Sequence, residues 1–154
     1  MARPAKTTPP LSQHLRLEGE VVGLWFEMQA RLETHFTELA ADYGLSSVQA
    51  KVLLVLQPDG AVTMRTLAAQ LQYDASNLTG VVDRLEEMGA VRRQLHPSDR
   101  RAKGVILTDE GQRIRKAFWE RLTSNTGPLG RLNSRELSAM RGLLRSALRG
   151  SAES

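Results

Sequence analysis

Between residues 91 and 108 the apolar period of this chain switches from the spacing of a helix to the alternation of a strand, and beyond it the helical period returns. Val91, Arg93 and Leu95 alternate with their neighbours, Pro97, Ser98 and Asp99 read as a turn, and Val105 and Leu107 alternate again. This predicts one β-hairpin, the only strand signal, set inside a mainly α chain.

The helical stretches carry their own start and stop signals. Val21, Trp25, Met28, Leu32, Phe36, Leu39 and Tyr43 recur at spacings of 4, 3, 4, 4, 3 and 4, which predicts a long first helix over about 11–42, stopped by Gly44. Ser46 with Gln49 forms a capping box for a second helix carrying Val48, Val52, Leu53 and Leu56, and Pro58 to Gly60 turns the chain. Thr63 caps a short third helix with Leu67, Ala68 and Leu71 inward; Asp74 caps a fourth that runs to about Met88. Only Gln72, Tyr73 and Asp74 separate these two, which suggests a helix-turn-helix. Thr108, followed by Asp109 and Glu110, opens a fifth helix with Ile114, Phe118 and Leu122 on one face. Ser124 to Gly130 breaks it, and Asn133 with Glu136 caps a last helix bearing Leu137, Met140, Leu144 and Leu148.

Composition removes whole classes of function. The 154 residues suit one domain, and 41% hydrophobic with 25% charged residues is ordinary for a globular chain. There is no cysteine, hence no disulfide, thiolate nucleophile or Cys-ligated metal. His14, His35 and His96 are scattered, so no metal site is expected. Gly-x-Gly-x-x-Gly, Gly-Lys-Ser, His-Glu-x-x-His and Gly-x-Ser-x-Gly are all missing, and no enzyme or cofactor is expected. Residues 1–10 read as a flexible polar arm without an export signal, and no apolar run spans a membrane, which sets a cytoplasmic expectation.

Charge singles out the hairpin. Arg92, Arg93, Arg100, Arg101 and Lys103 against Asp99 account for the entire formal excess of +4. On the fourth helix Leu78, Val81, Val82, Leu85 and Met88 point one way. Ser76, Asn77, Gly80, Asp83, Arg84 and Glu87 point the other way, with Thr79 at the flank. Taken alone, such a polar face is solvated surface. Followed directly by a basic hairpin, it suits a helix that enters a major groove, where Asn reads adenine and Arg reads guanine, and Gly80 lets the backbone approach closely. A tip with Arg100, Arg101 and Lys103 fits the narrow, strongly negative minor groove. Thr63 and Arg65, at the start of the third helix, complete the DNA-facing candidates. Glu86 and Glu87, being adjacent, read as solvated surface.

The runs Leu45-Ser-Ser-Val-Gln49, Leu67-Ala-Ala-Gln-Leu71, Asp74-Ala-Ser-Asn-Leu-Thr79, Val82-Asp-Arg-Leu-Glu86 with Gly89, Pro97-Ser-Asp-Arg-Arg-Ala-Lys103 and Leu107-Thr-Asp-Glu-Gly111 resemble the MarR family of winged helix-turn-helix regulators over about residues 20–148. The resemblance implies a winged core at 45–108 between dimerisation helices at 11–44 and 109–150, together forming a single domain over 11–150. It also implies that the helix at 75–88 reads the major groove, that Arg101 of the wing enters the minor groove, and that Asp99 braces the wing. Gly80 departs from the pattern, in which many members carry Arg after the Thr, and Gly127-Pro128 is a second departure.

The expected function is that of a sequence-specific double-stranded DNA-binding regulator, a bacterial or archaeal, nucleoid-associated repressor. It would act as a homodimer on a pseudo-palindromic operator and be released by a small aromatic or anionic effector. Trp25 and Met28 are candidate walls of the effector pocket, with His14 and Arg16 as its charged partners; the plain alternative makes Trp25 a packing aromatic. The first and last stripes either pack within the chain or form the dimer. The rival function is a protein-interaction module whose basic wing docks an acidic partner.

Overall fold

The computed structural model describes residues 13–58, 60–96, 99–124 and 127–149. Helix α1, Gln13–Asp42, closes in a Schellman turn: Gly44 at φ +68 lets its own N–H reach Ala41 O at 2.9 Å while the Leu45 N–H reaches Ala40 O at 2.9 Å. Helix α2, Ser47–Val55, starts on the expected capping box, with the Gln49 N–H donating to Ser46 Oγ at 3.2 Å and the Ser46 N–H donating to Gln49 Oε1 at 2.7 Å.

A short strand β1, Val62–Thr63, then precedes helix α3, Met64–Leu71. This strand corrects the expectation of a lone hairpin. Its two residues pair antiparallel with Val105 and Gly104, partners some forty positions away, so nothing in the local pattern announces it. Thr63 caps α3 as expected by accepting the Thr66 N–H at 3.1 Å. Gln72 turns the chain in the left-handed region at φ 57, and helix α4, Ala75–Glu87, follows. Asp74 holds the N-cap position, but its side chain makes no capping bond; its backbone carbonyl accepts the Asn77 N–H at 3.0 Å instead. Gly89, at φ +70, ends α4 in a second Schellman turn, with the Ala90 N–H donating to Leu85 O at 2.9 Å.

Strands β2, Val91–His96, and β3, Asp99–Leu107, form the expected hairpin, and the sheet order is β1-β3-β2 with a register shift between Leu95 and His96. Pro97 and Ser98 of the expected turn lie outside the described residues, and Asp99 opens β3. Helix α5, Asp109–Leu122, is capped by Thr108, which accepts the Gly111 N–H at 3.1 Å. Helix α6, Ser134–Arg149, is capped by Asn133 and Glu136 as expected, the Asn133 N–H donating to Glu136 Oε2 at 2.9 Å and the Glu136 N–H donating to Asn133 Oδ1 at 3.1 Å.

The core lies under the winged part. Val52, Leu53 and Leu56 of the α2 region, Leu67 of α3, Leu78, Val82 and Leu85 of α4 and Val91 and Val105 of the sheet are all buried. Met88 does not join them: at the end of α4, where Gly89 turns the chain away, it is 41% exposed. Phe118 carries α5 into this core, with its ring edge-on to Phe36 at 5.2 Å and to Tyr43 at 5.6 Å between centroids. The C-terminal half of α1 is thereby fastened, while Leu17, Val21, Leu24, Trp25 and Phe26 of its N-terminal half are exposed. Helix α6 has no buried residue.

Candidate nucleic-acid interface

The helix-turn-helix fixes what α4 presents. With Leu78, Val82 and Leu85 sunk in the core, Ser76, Asn77, Thr79, Gly80, Asp83, Arg84 and Glu87 are left on the exposed face. Its N-terminal half is uncharged and carries the positive end of the helix dipole, which favours approach to phosphates. A Cβ built on Gly80 would meet nothing within 4 Å, so the glycine leaves open surface in the middle of this face. The Thr79 hydroxyl donates to Ala75 O at 3.2 Å and keeps its lone pairs as acceptors.

The other half of α4 is acidic, and the hairpin neutralises it. From β2 the Arg93 guanidinium donates to Asp83 Oδ1 at 2.5 Å and to Glu86 Oε2, and the Arg93 backbone N–H donates to Glu86 Oε1 at 3.0 Å. Arg93 is three-quarters buried. Burial lowers the pKa of its guanidinium, but the hydrogen bonds and charges of Asp83 and Glu86 outweigh that and hold it above its ordinary value. Glu86, expected as solvated surface, is therefore a brace between α4 and β2. Alternation had placed Arg93 beside Val91 and Leu95 on the inward side, and a charge there was the signal that a carboxylate partner lay opposite. Arg84 is paired too, with Glu87 Oε2 at 3.0 Å.

Of the remaining DNA-facing candidates, Thr63 is occupied in the fold by its α3 cap and by a 2.9 Å contact with the Thr66 hydroxyl. Arg65 is exposed on the first turn of α3. Asp99, Arg100, Arg101 and Lys103 sit on the backbone of β3, where Asp99 pairs with His96 and Lys103 with Leu95; their side chains lie outside the described residues.

The effector candidates separate. Trp25 and Met28 of α1 border a cavity of ≈ 280 Å³ closed on its far side by Met140 and Leu144 of α6. His14 and Arg16 do not line it; nine residues or more up α1 from Trp25, they stand roughly 15 Å away along the axis. The polar groups at this cavity are Gln29 and Glu33, and Lys51 of α2 donates to Glu33 Oε1 at 2.9 Å with its Nζ 5.7 Å from the Phe36 ring centroid. Lys51 escaped the sequence reading because its partner is eighteen residues away. Among the described residues no group of three or more His, Asp or Glu could hold a metal ion, and no helix is long and apolar enough to cross a membrane.

The model of the MarR family matches residues 45–103, which run from α2 into β3. CouR from Rhodococcus jostii RHA1, solved bound to p-coumaroyl-CoA, is 30% identical and superposes with a TM-score of 0.63 over 91% of this chain and 95% of its own. The chain belongs to the MarR family. BpsR of Bordetella bronchiseptica, whose DNA binding is regulated by 6-hydroxynicotinic acid, is 28% identical, with a TM-score of 0.65 over 83% of this chain and 98% of its own. The HTH-type transcriptional regulator YfiV of Bacillus subtilis is 35% identical over 77 residues, half of this chain, and the match spans 48% of YfiV's length. The MarR-family match thus covers the helix-turn-helix and the start of the wing's return strand, while the structural likeness extends to the terminal helices.

Proposed function

We propose that this MarR-family chain is a sequence-specific double-stranded DNA-binding repressor that works as a homodimer and is released by a small organic ligand. One observation carries the reading: an uncharged, hydrogen-bonding face, Ser76, Asn77, Thr79 and Gly80, stands at the exposed start of α4, and the adjoining hairpin holds the chain's whole charge excess. Bases are read by the first feature and phosphates or the minor groove by the second. In this reading Arg65 and Arg84 meet the backbone, Arg100, Arg101 and Lys103 enter the minor groove with Asp99 bracing them, and Thr63 and Asp83 act by holding their neighbours in place.

The homodimer is supported by the exposed apolar N-terminal half of α1 beside an α6 that buries nothing. A twofold pair would set two α4 helices about 34 Å apart, one turn of DNA, and so calls for a pseudo-palindromic operator. The p-coumaroyl-CoA bound to CouR and the 6-hydroxynicotinic acid that regulates BpsR, each with an aromatic ring, support an aromatic effector here. Release then follows if the ligand binds better to a dimer whose α4 helices are mis-spaced for adjacent grooves.

The test is a titration of purified protein against the duplex upstream of its own gene and against a scrambled duplex, at two salt concentrations. Preferential binding that weakens steeply with salt is expected. Binding to neither duplex would overturn the reading and favour a module whose wing docks an acidic protein.

A further inference from the structure

Helices α2 to α6 each begin at a residue whose side chain is able to cap them, and at all but one of these it does. Ser46 accepts the Gln49 N–H, Thr63 the Thr66 N–H, Thr108 the Gly111 N–H and Asn133 the Glu136 N–H. Asp74, at the start of α4, is the exception. Its backbone stands at φ −70 and ψ 138, the extended conformation also held by Ser46 and Thr63, yet its carboxylate makes no capping bond. The Asn77 N–H, which a capping carboxylate would take, donates to the Asp74 carbonyl at 3.0 Å instead. Among the described residues the Asp74 side chain has no hydrogen bond and no ion pair.

A carboxylate that does not cap carries two costs: the helix forgoes the cap, and a negative charge stands where a polyanion must approach. Every residue from 72 to 77 is exposed, so Asp74 shares one open surface with Ser76 and Asn77. Its neighbours Ala75 and Ser76 are small, which lets the tip of α4 come close to a groove floor. In a helix-turn-helix the first residues of the second helix are those that meet base edges. An anion is tolerated there only opposite a donor. In the major groove guanine presents acceptors alone, thymine an acceptor and a methyl, and adenine an amino group beside an acceptor; cytosine alone presents an amino donor with no acceptor on the same base.

We propose that Asp74 is a specificity-determining residue whose carboxylate accepts a hydrogen bond from the N4 amino group of one cytosine in each half of the operator. The proposal rests on the DNA-binding reading and deepens it, adding to the polar face of α4 a base-reading residue that acts from just outside the helix. Selection works by repulsion as much as by attraction. Opposite any other base the carboxylate meets a lone pair or a methyl group, so the same charge that recognises cytosine weakens binding to every sequence that lacks it. The cap that α4 forgoes and the reading of the base then have one cause, a carboxylate kept for the partner rather than for the helix.

The experiment is a selection from a pool of random DNA duplexes by the full-length chain, its Asp74→Asn variant and its Asp74→Ala variant, with the enriched duplexes sequenced and then titrated. Wild type is expected to select a two-half consensus with a cytosine at one position of each half, favoured about tenfold over any other base there. Asn is as good a cap as Asp, so Asp74→Asn should not lower the thermal midpoint. Its amide pairs with adenine, so the preference at that one position should switch from cytosine to adenine while the rest of the consensus stays, and binding to a scrambled duplex should tighten as the charge is lost. Asp74→Ala should show no preference at that position. The same consensus from wild type and Asp74→Asn, or a uniform loss of affinity on all sequences, is what a residue serving only the helix would give, and either overturns this proposal while the DNA reading stands. A wild type that selects no consensus overturns both.

Discussion

Gly80 occupies the middle of a helix, where glycine is less favourable than alanine by roughly 0.5–1 kcal/mol, and nothing within 4 Å would obstruct a Cβ. Gly80→Ala should therefore stabilise the fold by about that amount in chemical denaturation while weakening operator binding, because the added methyl stands on the face that approaches the bases. A variant that is stabilised with unchanged affinity would place the operator off this face. Arg93 poses the opposite case. Arg93→Met strands Asp83 and Glu86 beside each other and removes the two guanidinium hydrogen bonds while leaving the backbone N–H bond to Glu86, so a loss of about 1–2 kcal/mol is expected, moderated by solvent around the two half-exposed carboxylates. The sign with pH is simple. A guanidinium whose pKa rises on folding contributes fully below its unfolded value and loses that contribution only as pH climbs through the alkaline range, so Arg93 adds no pH dependence near neutrality. Matching unfolding curves for wild type and R93M would sink the brace.

Among the elements, the joint between α4 and α5 is closely packed. The Thr108 N–H donates to Ala90 O at 3.1 Å, its hydroxyl donates to Gly89 O at 2.6 Å, and a Cβ on Gly111 would fall 1.9 Å from that same Ala90 oxygen. Backbone meets backbone here, so no side chain can yield. Gly111→Ala should cost about 1–3 kcal/mol or more and loosen the seat of α4 against α5, read as a lowered denaturation midpoint with faster amide exchange at Gly89 and Ala90. Most elements were legible in the chain itself because their signals are local: the capping pairs Ser46 with Gln49 and Asn133 with Glu136, and the glycines that close α1 and α4. Whatever depends on distant partners was not legible. Strand β1 is two residues long and exists through β3, the Arg93 brace joins a strand to a helix, and Lys51 meets Glu33 across α1 and α2. The Gly111 approach was equally hidden, since the residue reads locally as an ordinary first-turn position.

At the scale of the whole molecule, a single chain leaves two unlike regions, a fully covered winged core and long helices only partly covered. Leu143 at 72% and Leu148 at 74% exposed, with Leu24 and Phe26 each at 66%, are surfaces that a second copy would cover. Stability should then depend on concentration: about a hundredfold dilution should lower it by about 3 kcal/mol per dimer, with a matching fall in the thermal midpoint. A midpoint independent of concentration, with a monomer mass by light scattering, would contradict the dimer. The same exposed helices have a consequence for the cell. When cover comes from another molecule of the same gene product, the paired form grows as the square of copy number below the dissociation constant, and halving expression removes about three-quarters of it. The paired form of such a chain would therefore vary more steeply than its expression.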